Sequence, residues 1–156
     1  MLEGCKSAEE RWESVSRLID NWLNGRQELL VLYCSLSGVE RLQVDERPFC
    51  EKMQHFCQML VDYVSAGHFE IYEQLKQEAV EFNDDAALDS TAALFDAIQR
   101  TTEFCLDVND GIDKFSDIQS LQVVLSKLGE CLEERFAFED QVIEILHNSH
   151  EEAVIQ

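Results

Sequence analysis

Apolar residues recur at three- and four-residue steps along most of this chain, a period of about 3.6 that marks amphipathic helices with one buried stripe. The stripe is plain in Phe49, Met53, Phe56, Cys57, Leu60 and Val64. It resumes as His68, Tyr72, Leu75, Ala79 and Phe82 beyond a junction at Ser65-Ala66-Gly67. Upstream, Trp12, Val15, Ile19, Leu23, Leu30, Tyr33 and Cys34 hold one face of a helix that ends near Ser37. Ser7 and Glu10 read as its capping box and Gly38 as its C-cap, while Gly25 is a point where it is expected to kink or weaken. Val39 to Arg47 is a polar connection, and Pro48 suits a first helical turn.

Asn83-Asp84-Asp85 breaks the second arm and supplies a cap for the next helix, which carries Leu88, Phe95, Ile98, Thr102 and Cys105 to about Val108. Asn109-Asp110-Gly111 signals a turn. A last helix, capped by Ser116, runs through Leu121, Val124, Leu125, Leu128, Leu132, Phe136, Val142, Ile143 and Leu146. Residues 1–6 and 148–156 are expected to fray. Short connections make neighbouring helices antiparallel. The pattern predicts an all-α, up-and-down antiparallel four-helix bundle with one interrupted arm, folded as a single domain over 1–156.

Composition narrows what such a bundle does. One proline and six glycines among 156 residues leave little turn chemistry for strands. Twelve basic against thirty-two acidic residues give a net charge of −20, a field that repels nucleic acid and anionic lipid and attracts cationic surfaces. Direct DNA binding is excluded on that ground. No stretch approaches the roughly 18 apolar residues needed to span a bilayer, and the N-terminus carries no basic patch or apolar run, so a cytoplasmic protein is expected. The six cysteines include no C-x-x-C pair; Cys34, Cys57, Cys105 and Cys131 fall on or beside stripes and read as buried thiols in a reducing compartment.

Candidate chemistry is sparse. A di-iron bundle needs two Glu-x-x-His pairs facing inward, and only Glu144 and His147 have that spacing, with Glu144 off the stripe. No metal or other cofactor is therefore expected. His68 groups with Tyr72 and Leu75 on the wheel and reads as a buried, hydrogen-bonded histidine rather than a phospho-acceptor. No P-loop, G-x-S-x-G or G-x-G-x-x-G pattern is present. Glu139 falls at the centre of the last stripe with Arg135 one turn earlier, and Arg26 holds a similar place on the first helix. Buried charges are costly unless paired, so these three are expected to meet in an internal ion network that sets helix register, with an interior anion site as the alternative.

On the outside, eight acids accompany one arginine between Glu130 and Glu152, and Glu130, Glu133, Glu134 and Glu144 lie on the outer face. Glu70, Glu73 and Glu81 do the same after the junction. Phe138 flanks the acidic face as a possible aromatic anchor for a basic partner. Asp62 falls opposite the stripe of its helix, facing water.

Three blocks carry a resemblance: Leu60 to Glu73, Val124 to Glu130, and Leu132 to Asp140, with the opening segments Asp20 to Leu23 and Leu29 to Val31 similar too. In that order they resemble the Rsd/AlgQ family of bacterial anti-sigma proteins, over about Leu18 to Ile143. The match is weakest at Leu42–Arg47 and Asn83–Ser120. The resemblance implies no enzymatic activity, but binding to the housekeeping sigma factor of RNA polymerase, mainly to its C-terminal promoter-reading domain. Covering that domain would reduce promoter recognition and docking on core polymerase, with effects on stationary-phase and alginate-related programmes. It also implies a role in sigma binding for Asp62, at the family's Leu-Val-Asp-Tyr position, with Gln58, Ser65, Glu70 and Phe138 as further candidates. The alternatives are a helical-bundle enzyme or phosphotransfer domain centred on His68 or on Glu144 and His147, and an acidic adaptor for another basic protein.

Overall fold

Helix α1 spans Leu2–Ser37, and α2 spans Glu46–Ala66. A π-helical turn, Gly67–Ile71, leads without a break into α3, Tyr72–Glu81. Helix α4 spans Asp85–Gly111 and α5 spans Ile118–Leu146; a 3-10 turn, Asn148–His150, and a short α6, Glu151–Ile155, follow. The computed structural model describes residues 2–37, 46–112 and 118–155. The expected C-cap at Gly38, most of the 39–47 connection and the Ser116 cap lie outside them.

Cross-helix contacts fix the topology. Trp12 of α1 reaches His147, just beyond the end of α5, and Tyr33 reaches Leu125 of α5, so those helices run antiparallel. Trp22 meets Tyr63 and Tyr33 meets Phe56, which makes α1 and α2 antiparallel as well. Arg135 bonds Ile98, Thr101 and Thr102, bringing α5 back along α4. The result is an all-α, up-and-down bundle of four arms, with α2, the π turn and α3 as one arm.

The buried line of α1 is Val15, Trp22, Leu29 and Leu36, a seven-residue repeat with Ile19 beside it. A heptad keeps one face on its neighbours along a long helix. This line differs from the expected stripe: Leu23, Leu30 and Tyr33 are half-buried and Cys34 is exposed. The expectation of a buried Cys34 is therefore corrected, because the heptad turns that position outward. Cys57 and Cys105 are buried, Cys131 half-buried. Phe56, Leu60, Leu75, Leu128 and Leu146 are fully enclosed between arms, each contributing roughly 1.5–3 kcal/mol by leaving water.

Three element ends and one expected kink also differ from expectation. Helix α1 already begins at Leu2, so Ser7 stands inside it rather than at its N-cap. It runs past Gly25 unbroken. Helix α4 continues through Asn109-Asp110-Gly111, where a turn was expected, and Ile112 beyond it packs on the core. The segment after Leu146 does not fray but folds into the 3-10 turn and α6. Asn83 takes a left-handed φ of 55°, a conformation asparagine tolerates, and Asp84 caps α4 by accepting from the Ala87 amide at 3.1 Å.

Candidate functional site

The π turn decides which residues of the second arm face out. Its closing bond runs from the Tyr72 amide to the Gly67 carbonyl, one residue wider than an α turn. Gly67 takes the inward position, where a Cβ would stand 3.1 Å from both Trp22 Cζ2 and the Tyr72 hydroxyl. The next inward positions are Ile71 and Tyr72, so His68, Phe69 and Glu70 all fall outside. The reading of His68 as a buried, hydrogen-bonded histidine is corrected accordingly. His68 is exposed, its ring edge-on to that of Phe69, which is 77% exposed.

On the same arm Asp62 is exposed at the mouth of a groove of about 350 Å³ between α1 and α2. Trp22 and Gly25 of α1 and Met59 and Tyr63 of α2 line it, with Glu28 contributing a second acid. The Trp22 and Tyr63 rings stack at 4.8 Å and within 3° of parallel, and the Trp22 indole N–H donates to the Tyr63 carbonyl at 3.2 Å. These contacts hold one wall rigid. Nothing lies within 4 Å of a Cβ placed on Gly25, so that glycine leaves the groove open. Gln58 is exposed one turn before Asp62, and Ser65 is half-buried just after it. Phe138 is not part of this constellation. It is half-buried in a different groove, between α4 and α5, beside Phe104, Arg100 and Lys127. That groove lies on the opposite side of the bundle and brings basic as well as acidic residues to Phe138.

Beneath the Asp62 groove the charged residues of the interior meet. Glu139 and Arg135 are buried, at 1% and 0% exposure. Glu139 Oε1 accepts from the Tyr63 hydroxyl at 2.7 Å and lies 3.4 Å from Arg26 Nη2. Its Oε2 accepts from the Tyr72 hydroxyl at 2.5 Å and lies 3.4 Å from Arg135 Nε. Arg135 Nη1 donates to Thr101 and Thr102 at 2.9 and 2.7 Å, which satisfies much of its fork. Arg26 reaches outward to Asp140 at 2.7 Å and lies over the Phe136 ring at 4.6 Å. Burial pushes the Glu139 carboxyl up, against the pull of Arg135, Tyr72, Tyr63 and Arg26. Every group that reaches it is a donor or a cation, so the network is arranged around the carboxylate form. Burial and Glu139 also push both tyrosine hydroxyls well above their usual range, which keeps them protonated donors.

The sequence pattern puts Tyr72 on the stripe as packing and gives Tyr63 no role; the available signal is a pair of hydroxyl-bearing rings about two and a half turns apart on the inward face of the second arm. Glu144 and His147 do not converge. Glu144 is exposed and accepts from Asn148 at 2.8 Å, while His147 is buried against Glu78. Among the described residues no cluster of three or more His, Cys, Asp or Glu side chains has the geometry to hold a metal ion, and no helix is long and apolar enough to cross a membrane.

Comparison with known proteins gives this geometry a setting. Residues 1–147 match the family model described as Regulator of RNA polymerase sigma(70) subunit, Rsd/AlgQ. The chain is 34% identical over 152 residues to the Regulator of sigma D of Yersinia enterocolitica, covering 92% of this chain and 89% of that protein. It is 36% identical over 158 residues to the Regulator of sigma D of Pectobacterium atrosepticum, covering 96% of this chain and all of that protein. A family match along nearly the whole chain and relatives matched over most of their own length leave one conclusion: the chain belongs to the Rsd/AlgQ family of regulators of the RNA polymerase sigma(70) subunit.

Proposed function

We propose that this protein is an anti-sigma factor that binds the C-terminal promoter-reading domain of the housekeeping sigma factor through the groove between α1 and α2. The observation that carries the reading is Asp62, exposed at the mouth of an apolar groove with Glu28 nearby. A basic helix-turn-helix surface offers side chains with aliphatic stems and cationic heads. Trp22, Met59 and Tyr63 suit the stems, and the two carboxylates suit the heads. Gln58, Ser65 and Glu70 are carried on the same arm as Asp62 and are included in the reading as further contacts, whereas Phe138 lines the groove between α4 and α5 and is left out.

The net charge of −20 acts at longer range. It speeds encounter with a cationic partner and competes with DNA phosphates for the same lysines and arginines. Capture of that domain lowers promoter recognition and docking on core polymerase, and so regulates transcription in the cytoplasm without an enzymatic step. The phosphotransfer alternative has an accessible ring at His68, but among the described residues the only group recorded against that ring is Phe69.

Calorimetry with purified housekeeping sigma factor, at low and moderate salt, tests the reading. Wild type is expected to bind, more weakly as salt rises. Asp62→Ala is expected to weaken binding about tenfold or more. Gly25→Leu fills the groove from a helix position with room for the side chain, and is expected to weaken binding while leaving the fold intact. Absence of binding by folded wild type, or wild-type affinity in both variants, would overturn it.

A further inference from the structure

The chain end is fastened by a second set of buried polar groups, remote from Asp62. His150 is buried, its ring stacked on Phe82 at 4.5 Å. Its Nδ1 lies 3.0 Å from Glu78 Oε2 and its Nε2 lies 2.8 Å from Asp84 Oδ2. The other oxygen of Glu78 lies 2.6 Å from His147 Nδ1, and His147 Nε2 lies 2.7 Å from the Ser16 hydroxyl. Trp12 stacks on the His147 ring at 4.6 Å and donates to its carbonyl at 3.1 Å.

Hydrogen counting assigns the charges. An ionised carboxylate only accepts, so a ring nitrogen facing one must carry a hydrogen. His147 can meet this with one proton, on Nδ1, because the Ser16 hydroxyl at its other nitrogen is able to donate. His150 faces a carboxylate at each nitrogen and satisfies both only as the imidazolium. The remaining charged groups on the elements packed here do not substitute for it. Helix α3 also carries the exposed Glu73, Lys76 held over the Phe95 ring, and Glu81, paired with Arg11 of α1; α1 adds the exposed acids Glu9, Glu10 and Glu13, and α6 the exposed Glu151 and Glu152. Asp85 of α4 and Glu144 of α5 are exposed acids.

We propose that His150 is a proton-dependent latch: doubly protonated, it clamps the segment Asn148–Ile155 to Glu78 and Asp84, and loss of its proton releases that segment from the bundle. Without the cation the neutral ring keeps a single N–H, so either Glu78 or Asp84 loses its His150 donor and faces a ring lone pair instead, and the closed arrangement weakens. Burial disfavours the His150 charge, but hydrogen bonds to Glu78 and Asp84 outweigh it and raise the group above the usual 6.5. A raised value in the closed form means the latch is fully formed below about pH 6.5 and weakens as pH rises through the closed-form value. One linked proton limits the change to about tenfold in closed population per pH unit. The window therefore opens at neutral pH.

Two NMR measurements on the full chain test this. Ring nitrogen-15 shifts are expected to show both nitrogens of His150 protonated at pH 6.5, with exposed His55 as reference. Amide exchange of residues 151–155, divided by the intrinsic rate at each pH, is expected to lose protection as pH rises from about 6 to 9, by up to about tenfold per unit. His150→Gln is expected to show low protection that does not vary with pH, with circular dichroism confirming the bundle. A neutral His150 ring at pH 6.5, as when Glu78 holds the proton instead, would overturn the proposal. Protection of 151–155 that stays constant across the range in wild type would do so equally.

Discussion

Tyr72 donates its hydroxyl to Glu139 at 2.5 Å, and the same oxygen accepts from Arg135 at 2.9 Å. One phenol, carried by the first residue after the π turn, thus links the buried acid to the buried cation that precedes it by one turn of α5. The second arm, interrupted as it is, is joined to the last helix through this oxygen and that of Tyr63.

Removing the acid leaves Arg135 buried without its counter-charge. Glu139→Ala is expected to cost about 3–5 kcal/mol in urea unfolding, well beyond a typical surface change. Because the groups act as a unit, Arg135→Met combined with Glu139→Leu is expected to lose less than the sum of the two single variants. Additive losses would show that the pair is not coupled, and an unchanged stability in Glu139→Ala would remove the network from any structural role.

Two glycines should respond to alanine with opposite signs. Gly25 has nothing within 4 Å of a Cβ and sits within a helix, so Gly25→Ala is expected to stabilise by about 0.5–1 kcal/mol. Gly67 abuts Trp22 and Tyr72, and Tyr72 is tied to Glu139 and Arg135, so it has little freedom to yield. Gly67→Ala is expected to cost about 1–3 kcal/mol. Thermal melts of the two variants side by side decide both.

At Gly129 of α5 a Cβ would run into the hydroxyl and Cζ of Tyr33, whose hydroxyl donates to the Leu125 carbonyl at 2.8 Å. Gly129→Ala is expected to displace that ring and lower stability by about 1–3 kcal/mol. Tyr33→Phe in the same background should restore part of the loss, since the shorter ring makes room for the new methyl. Failure to recover would point to a clash elsewhere on α5.

Asp84 caps α4 and its carboxyl is lowered from 3.8, first by the hydrogen bond from His150 and then by the Ala87 amide. A lowered value in the folded state means this stabilisation is present above about pH 4 and is lost as pH falls through the folded value. Asp84→Ala is expected to cost about 1 kcal/mol at neutral pH. The difference in melting temperature between wild type and Asp84→Ala should shrink on acidification below pH 4; a constant difference would rule out the ionised cap.

Much of this was readable from residue order. Periodicity sufficed for the helices, their antiparallel order and the bundle, because a helix has a fixed period and short links leave few topologies. Asp62 was placed outside, and Arg26, Arg135 and Glu139 inside, from the same wheel. The resemblance of the three blocks pointed to the family to which the chain belongs.

What residue order did not carry depends on contacts between distant segments. A wheel of constant pitch has no place for a π turn, so it sends His68 inward; the wider turn at Gly67–Ile71, with Gly67 close against Trp22 and Tyr72, puts His68 out. Nor does a period say which partners a polar side chain meets. Tyr63 and Tyr72 are bound to Glu139 from 76 and 67 positions away, and His150 to Glu78 from 72. Those pairings arise only when the arms close, since burial makes an unpaired charge costly and leaves each group to be satisfied by whatever the facing helix presents.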